Sequence, residues 1–231
     1  ITPSMRSILN DWVLDVHFKF RLNQETLYLT INLIDRTLSK ISCSRSQLQL
    51  LGVTALMIAC KYEEIYHPKT SKLLDICAGV YSLDHLLNME ISMLNAIQYR
   101  VTTATPYFFL KRYLHICGAC NTSKMIAFYL SELSILDYTM VGYKSSLLAA
   151  SCVCLGMKLT NSTKDWDSLW SHHMGYTTED LKACMKKLIQ IGAQQENFSS
   201  LRLNACSKKY ARERRLSVSQ FVPSTLTNFI L

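Results

Sequence analysis

Apolar residues in this chain recur mostly at intervals of three and four positions, the spacing that places side chains on one face of an α-helix. The stretch MRSILNDW shows the pattern, because Met5, Ile8, Leu9 and Trp12 follow one another at helical intervals. Strict alternation of apolar and polar residues, which would indicate half-buried strands, is rare. With only 7 Gly and 4 Pro to form tight turns, the chain is predicted to be all-α.

Residues that favour helix ends support the same prediction. Thr2 and Pro3 open the first helix, and Thr105 and Pro106 repeat this pair before YFFLKRYLHI. A second helix fits residues 24–40. Further helix starts are indicated, in chain order, by Ser44 with Gln47, by Ser82, by Thr122 or Ser123, and by Thr177 with Asp180. The helix after Ser44 is predicted to run to about Tyr66, where Pro68 stops it.

Two strongly apolar segments resemble each other. LLGVTALMIACK (50–61) and LLAASCVCLGMK (147–158) share paired leucines, small residues and a final lysine. Small residues allow helices to approach closely, so both segments suit the central helix of a bundle. We interpret them as two copies of one bundle, although two apolar helices can also match by chance. Both are shorter than the roughly 18 apolar residues of a membrane span.

Charge and cysteine content narrow the function classes. The net charge of +8 permits nucleic-acid binding, but the basic residues are dispersed apart from KKYARERR (208–215), which we interpret as a solvated tail. Most of the 9 cysteines lie in apolar runs, which indicates a reducing compartment. The single C-x-x-C, CGAC (117–120), has no second pair, so no metal site is expected.

No catalytic motif stands out, and the chain is predicted to bind rather than to catalyse. Four charged residues lie in otherwise apolar helices, namely Arg6, Asp35, Lys61 and Glu90. A lone buried charge is costly, so each of them needs a partner.

Several longer motifs resemble a known family. MRSILNDWVLDVHFKF, ETLYLTINLIDR, LQLLGVTALMIACKYEEIYHP and LLNMEISMLNAIQY, in this order, resemble the cyclin box, and FRLNQETLYLTINLIDR with KYEEIY is most similar to mitotic B-type cyclins. FYLSELSILDY, GYTTEDLKACMKKL and KKYARERRLSVS resemble the C-terminal box and its closing segment. The resemblance implies two tandem five-helix cyclin-box bundles at 1–102 and 103–200, followed by a closing segment and tail at 201–231.

The resemblance also implies a kinase-binding surface. In the family, a lysine near the end of the third helix and a glutamate in the fifth bind a cyclin-dependent kinase, and these positions are Lys61 and Glu90 here. The alternative is that the two residues pair with each other or reach water. The neighbouring residues expected at this surface are Leu50, Tyr62, Glu63, Glu64 and Ile65. Arg6 and Asp35 match an internal ion pair between the first two helices.

The opening stripe has two interpretations. Taken alone, it would be core. The resemblance instead implies an exposed groove for Arg-x-Leu peptides of substrates and inhibitors, with Asp15 pairing with the arginine and Gln49 binding the peptide backbone. The leucine would be received by Met5, Ile8, Leu9 and Trp12.

A basic group in the second box is weaker evidence. Some B-type members hold a phosphate where Lys111, Arg112 and Lys124 lie, but Phe128 replaces an expected basic residue, so we favour a solvated surface. RRLS (214–217) resembles both a docking sequence and a basophilic phosphorylation site, although its place in the closing segment favours packing.

Together, the resemblance implies a regulatory subunit without catalysis or cofactor. It would form a heterodimer with a cyclin-dependent Ser/Thr kinase, recruit Arg-x-Leu substrates, act at G2/M and reside in the nucleus and cytoplasm, without a membrane partner. An alternative is a cyclin-fold transcription factor that contacts nucleic acid, and a third is a cyclin-fold scaffold without a kinase.

Overall fold

The computed structural model of the chain describes residues 1–161, 168–193 and 200–227. Within these ranges all regular structure is helical, which confirms the all-α prediction. The chain divides into two compact units, Ile1–Thr105 and Pro106–Leu231. In the described ranges no helix combines the length and the apolar character needed to cross a membrane.

The first unit is a five-helix bundle built around one central helix. Its helices are α1 (Pro3–Phe20), α2 (Gln24–Leu38), α3 (Leu48–Glu63), α4 (Thr70–Asp75) and α5 (Leu83–Ala96). Every residue of α3 from Leu50 to Cys60 is buried, and α3 packs against α1, α2, α4 and α5. A helix that is apolar on all sides is stable only inside a core, which is why this segment takes the centre.

Most predicted helix starts in this unit are confirmed. The hydroxyl of Thr2 accepts a hydrogen bond from the Met5 amide, and Ser82 forms a reciprocal capping box with His85. The box of Ser44 with Gln47 also exists, but it opens a single 3-10 turn that leads into α3. The side chain of Ser44 therefore satisfies this turn rather than the first amides of α3.

The predicted end of the third helix at Tyr66 is wrong, because α3 ends at Glu63. Glu64 has an extended backbone, and its carboxylate accepts three hydrogen bonds: two at 2.7 Å from the backbone and side-chain amides of Asn23, and one at 2.5 Å from the Thr26 hydroxyl. Glu64 is thus drawn to the start of α2, and this contact ends α3 before Pro68 could.

The second unit repeats the plan and adds two closing helices. Its helices are α6 (Pro106–Ile116), α7 (Asn121–Leu136), α8 (Ser145–Leu159), α9 (Ser168–Met174), α10 (Thr178–Ala193), α11 (Ala205–Tyr210) and α12 (Val218–Thr227). The buried α8 packs against α6, α7 and α10, while α11 and α12 pack on α7, and α12 also packs on α10. The described part of this unit thus contains a bundle of α6–α10 and a closing segment. The predicted boundary at residue 200 follows positions 194–199, which lie outside the described residues.

One helix start in this unit was assigned to the wrong residue. The cap of α7 is Cys120, whose sulfur accepts a hydrogen bond from the Ser123 amide, and not Thr122 or Ser123. Ser123 is buried, and its hydroxyl lies 2.7 Å from that of Thr160. Cysteine is an unusual capping residue, so the sequence favoured the nearby hydroxyl side chains.

The two central helices each use a glycine for a close contact, as the matched segments suggested. A Cβ on Gly52 would lie 2.7 Å from a methyl group of Leu9, so α1 and α3 touch there. A Cβ on Gly156 would lie 2.6 Å from the backbone oxygen of Ser123, so α7 and α8 touch there. A Cβ at Gly156 would therefore push against backbone, whereas a Cβ at Gly52 would have to displace the end of the Leu9 side chain.

Candidate functional site

The opening stripe lines a groove on the first unit. Six of its seven lining residues come from the N-terminal parts of α1 and α3, and the seventh, Arg45, belongs to the 3-10 turn before α3. The cavity has a volume of about 330 Å³. It is lined by Met5, Ile8, Leu9, Trp12, Arg45, Leu48 and Gln49.

The stripe is partly core and partly surface. Leu9 is only 5% exposed and contacts α3 at Gly52, so it anchors α1 in the bundle. Ile8, in contrast, is 50% exposed, and Trp12 is half-buried against the core around α3. Leu9 thus has the burial of a core residue, whereas Ile8 and part of Trp12 remain accessible in the groove.

Two polar residues of the predicted groove differ in position. Gln49 lines the cavity, where its amide can bind a peptide backbone. Asp15 does not line the cavity, and its carboxylate pairs with Lys19 of the next helical turn at 2.8 Å. This ion pair is exposed to solvent, and such pairs exchange partners at little cost.

Lys61 and Glu90 form the second feature of the first unit. The ammonium group of Lys61, on the last turn of α3, lies 2.7 and 2.9 Å from the two carboxylate oxygens of Glu90 on α5. The Lys61 side chain is 42% exposed and that of Glu90 is 15% exposed. The two helices therefore present a preformed, solvent-accessible ion pair, and in the isolated chain each residue is the other's partner.

The residues predicted around this pair have different environments. Leu50 is buried inside the bundle, whereas Tyr62 is exposed with its hydroxyl 2.5 Å from that of Thr102. Glu63 is half-buried, and the Glu64 carboxylate is held by α2 as described above. Ile65 is 89% exposed. An apolar side chain this exposed gains free energy only when something covers it.

The structure brings Arg6 and Asp35 together. The Arg6 Nε lies 2.6 Å from one carboxylate oxygen of Asp35, and a terminal guanidinium nitrogen lies 2.8 Å from the other. Arg6 is 5% exposed and the Asp35 side chain is 24% exposed, so this two-pronged contact joins α1 to α2 at a partly buried position.

The basic group of the second unit is spread over two helices. Lys111 and Arg112 lie on α6, and Lys124 lies in the first turn of α7. Lys111 is placed over the ring of Tyr107, with 5.0 Å between its nitrogen and the ring centre. The ring of Phe128 packs against the same tyrosine. Phe128, which stands where the resemblance leads us to expect a further basic residue, therefore packs against an aromatic ring instead.

A buried ion pair in the second unit was not predicted. The Lys209 ammonium lies 2.7 and 2.8 Å from the carboxylate oxygens of Glu132, and the Tyr210 hydroxyl donates to the same carboxylate at 2.8 Å. The Lys209 and Glu132 side chains are 2% and 1% exposed. The interpretation of residues 208–215 as a solvated tail is therefore wrong for Lys209 and Tyr210, which join α11 to α7. The sequence does contain one indication of this pair, because Glu132 is a lone glutamate in the apolar helix of FYLSELSILDY and needs a partner.

All nine cysteines are free thiols. Burial raises the pKa of Cys60 to about 12, and it raises that of Cys117 to about 12. A thiol with such a pKa is almost entirely protonated at neutral pH and is a poor nucleophile. In the CGAC motif, Cys117 is thus buried while Cys120 is exposed at the start of α7.

Family models cover both units of the chain. The model described as "Cyclin, N-terminal domain" matches residues 1–102, and "Cyclin, C-terminal domain" matches residues 104–224. Cyclin-B1-5 of Oryza sativa subsp. japonica is 39% identical over 224 residues, or 97% of this chain and 49% of that protein. Cyclin-B1-4 of Arabidopsis thaliana is 39% identical over 221 residues, or 95% of this chain and 56% of that protein. The chain thus spans about half the length of these relatives.

Solved structures share the fold. A viral cyclin from herpesvirus saimiri superposes with a TM-score of 0.71 at 16% identity, covering 83% of this chain and 87% of that chain. A chain of the yeast RNA Pol II CTD kinase CTDK-1 complex gives 0.70 at 9% identity, covering 84% of this chain and 67% of that chain. At these identities the structures support the fold, while the family models and the sequence relatives define the family. The chain belongs to the cyclin family and is most like its B-type members.

Proposed function

We propose that this chain acts as a regulatory subunit that binds and activates a cyclin-dependent Ser/Thr kinase and leaves the phosphoryl-transfer chemistry to that kinase. The observation that carries the proposal is the exposed pair of Lys61 with Glu90, held on two packed helices of a cyclin N-terminal domain. Because the chain is similar to B-type cyclins, we extend the proposal to control of G2/M progression. We also propose that the protein resides in the nucleus and cytoplasm.

The pair has the chemistry to hold a kinase segment. Its ammonium group can donate to backbone carbonyls of a docked segment, and its carboxylate can accept from backbone amides. Both groups are already ordered by their mutual contact, so little side-chain entropy is lost on binding. Exposed Ile65 and Tyr62 lie close to Lys61 in the sequence and supply apolar area that a partner would bury.

Charge reversal distinguishes a partner contact from an internal one. Lys61→Glu and Glu90→Lys should each abolish activation, while the double variant Lys61→Glu/Glu90→Lys restores the internal ion pair but not its match to a kinase. The exposed pair itself stabilises the fold by only about 0–1 kcal/mol, so all three variants should stay folded. Lys182→Glu, a reversal in an exposed pair of the other unit, is the matched control.

The measurement is a pull-down with a panel of cyclin-dependent kinases followed by a histone kinase assay. We expect the wild type and Lys182→Glu to bind and activate at least one kinase, and the two single reversals to fail. Restoration of activity by the double variant would show that the pair serves only the fold. Absence of binding to any kinase, together with salt-sensitive retention of duplex DNA, would favour the nucleic-acid alternative.

We further propose that the groove recruits Arg-x-Leu substrates and inhibitors. A peptide leucine buried beside Ile8 and Trp12 would contribute about 1.5–3 kcal/mol, and Gln49 can bind the peptide backbone. Asp15 can exchange Lys19 for the peptide arginine, with a net gain of no more than about 1 kcal/mol because both pairs are exposed. Once the entropy cost of ordering the peptide is subtracted, these contributions to the binding free energy predict a dissociation constant in roughly the micromolar range.

The groove is tested by surface changes that spare the core. Met5→Ala with Ile8→Ala should weaken phosphorylation of a substrate carrying Arg-x-Leu and leave a short peptide without it unaffected. Phe108→Ala removes a comparably exposed apolar side chain from α6 and serves as the control. Equal losses on both substrates, with an unchanged melting curve, would show that the groove does not recruit them.

A further inference from the structure

We propose that Ser217 is a phosphorylation site for an arginine-directed serine/threonine kinase, independent of the kinase that the chain itself would bind. Ser217 follows Arg214, Arg215 and Leu216, and this is the single Arg-Arg pair of the sequence. Two guanidinium groups at two and three positions before a hydroxyl can each form two-pronged hydrogen bonds with carboxylates of a kinase substrate cleft.

The segment that carries Ser217 lies at the surface between α11 and α12. A 3-10 turn at Glu213–Arg215 is followed by Leu216 and Ser217, whose φ angles are 55° and 47°. Arg214 is exposed, Leu216 is 44% exposed and Ser217 itself is half-buried. The left-handed conformation costs free energy in residues that have a Cβ, so extending the segment into a kinase cleft relieves strain.

The contacts that hold Ser217 are local. Its hydroxyl donates to the Ala211 carbonyl at 3.1 Å, its amide donates to the Arg212 carbonyl at 3.2 Å, and its carbonyl accepts from the Gln220 amide of α12 at 2.9 Å. The Arg215 guanidinium lies 5.4 Å from the centre of the Tyr210 ring. These contacts close a short connecting turn, so the turn can open while the buried side chains of α12 remain packed.

The reaction is a transfer of the γ-phosphoryl group of ATP to the Ser217 oxygen. The bond between the γ-phosphorus and the bridging oxygen breaks, the phosphorus–Oγ bond forms, ADP leaves, and the hydroxyl proton passes to the catalytic carboxylate of the kinase. The phosphate has only acceptor oxygens and therefore cannot keep the hydrogen bond that the hydroxyl donates to Ala211. We expect faster amide exchange at residues 211–217 after modification.

The test incubates the native chain with the catalytic subunit of cyclic-AMP-dependent protein kinase and Mg-ATP, and locates the phosphate by mass spectrometry. We expect about one phosphate per chain, on Ser217. Ser217→Ala should abolish the incorporation, and Arg214→Ala should slow it about tenfold, because one charge-assisted contact is lost. Ser39→Ala is the matched control, since Ser39 is exposed and follows Arg36 by three positions.

Two outcomes would overturn the proposal. One is incorporation that persists unchanged in Ser217→Ala. The other is labelling of Ser217 in the heat-unfolded chain but not in the native chain, which would show that the folded turn does not open to a kinase.

Discussion

Replacing Lys209 with Met tests how the closing segment is held to the second unit. The methionine side chain has a similar length and is well tolerated in apolar surroundings, so the change removes mainly the ammonium group. That group makes two short hydrogen bonds to Glu132, and both side chains are at least 98% buried. The variant therefore leaves a carboxylate in the interior without its counter-ion.

The expected loss follows from this burial. Removing one partner of a buried ion pair typically costs about 3–5 kcal/mol, because the remaining charge has lost both water and its partner. For a unit of this size each kcal/mol corresponds to roughly 4 °C, so the melting temperature of the second unit should fall by about 12–20 °C. The Tyr210 hydroxyl remains in contact with Glu132, which places the loss nearer the lower end of the range.

The matched control and the rescue use neighbouring positions. Lys208→Met makes the same chemical change on an exposed residue of α11 and should alter stability by less than about 0.5 kcal/mol. Glu132→Met combined with Lys209→Met removes both charges and should recover most of the loss, because an apolar pair of similar volume packs well. The difference between the single and double variants gives the coupling energy of the pair.

Urea unfolding followed by circular dichroism measures the loss of unfolding free energy. Hydrogen exchange of the backbone amides shows which helices are destabilised. Protection should fall in α7 and α11, while α3 of the first unit provides an internal reference. The reasoning fails if Lys209→Met is no more destabilising than Lys208→Met. It also fails if the double variant is less stable than Lys209→Met, since the cost would then arise from packing rather than from a stranded charge.

Three further substitutions and one chemical modification test the packing of the bundles. In urea titrations, Gly156→Ala should lower the free energy of unfolding by about 1–3 kcal/mol, because the new Cβ meets the backbone of α7. Gly52→Ala should lower it by less than about 1 kcal/mol, because the new Cβ meets the movable end of a side chain. Asp35→Ala should cost about 1–3 kcal/mol, because the buried Arg6 guanidinium loses both hydrogen bonds to this carboxylate, and an unchanged melting curve would contradict this. Iodoacetamide at pH 8 should alkylate exposed Cys120 long before Cys60, because burial raises the pKa of Cys60 to about 12. Equal alkylation rates of the two thiols, measured by mass spectrometry, would contradict that order.

The helices were predictable because their signals are local. Apolar spacing and the caps at Thr2, Ser82 and Thr177 involve residues within one turn of each other, so the sequence contains all the information. The end of α3 was not predictable in this way. It depends on Glu64 reaching Asn23, 41 positions earlier, and no local pattern reports a contact of that range.

In the candidate sites, too, the sequence predicts some features and leaves others to long-range contacts. A charge in an apolar helix signals that a partner exists, and Arg6, Asp35, Lys61 and Glu90 each have one within the chain. Lys61 and Glu90 contact each other, the alternative to the kinase contact that the resemblance favoured. The same signal is present at Glu132, whose partner lies 77 positions later. Whether a pair is buried or exposed depends on how the helices pack, and the sequence pattern does not report this.

The central helix of the first unit links the two proposed sites. Gln49 lines the groove near the start of α3, and Lys61 carries the exposed ion pair near its end. Twelve residues of α-helix separate these positions by about 18 Å, and the buried middle of α3 fixes that distance because a close-packed helix cannot stretch. Under the proposed function, a docked substrate segment and a bound kinase are therefore held at a constant spacing. The length of peptide between an Arg-x-Leu motif and the phosphorylated residue should then have a minimum below which recruitment gives no advantage.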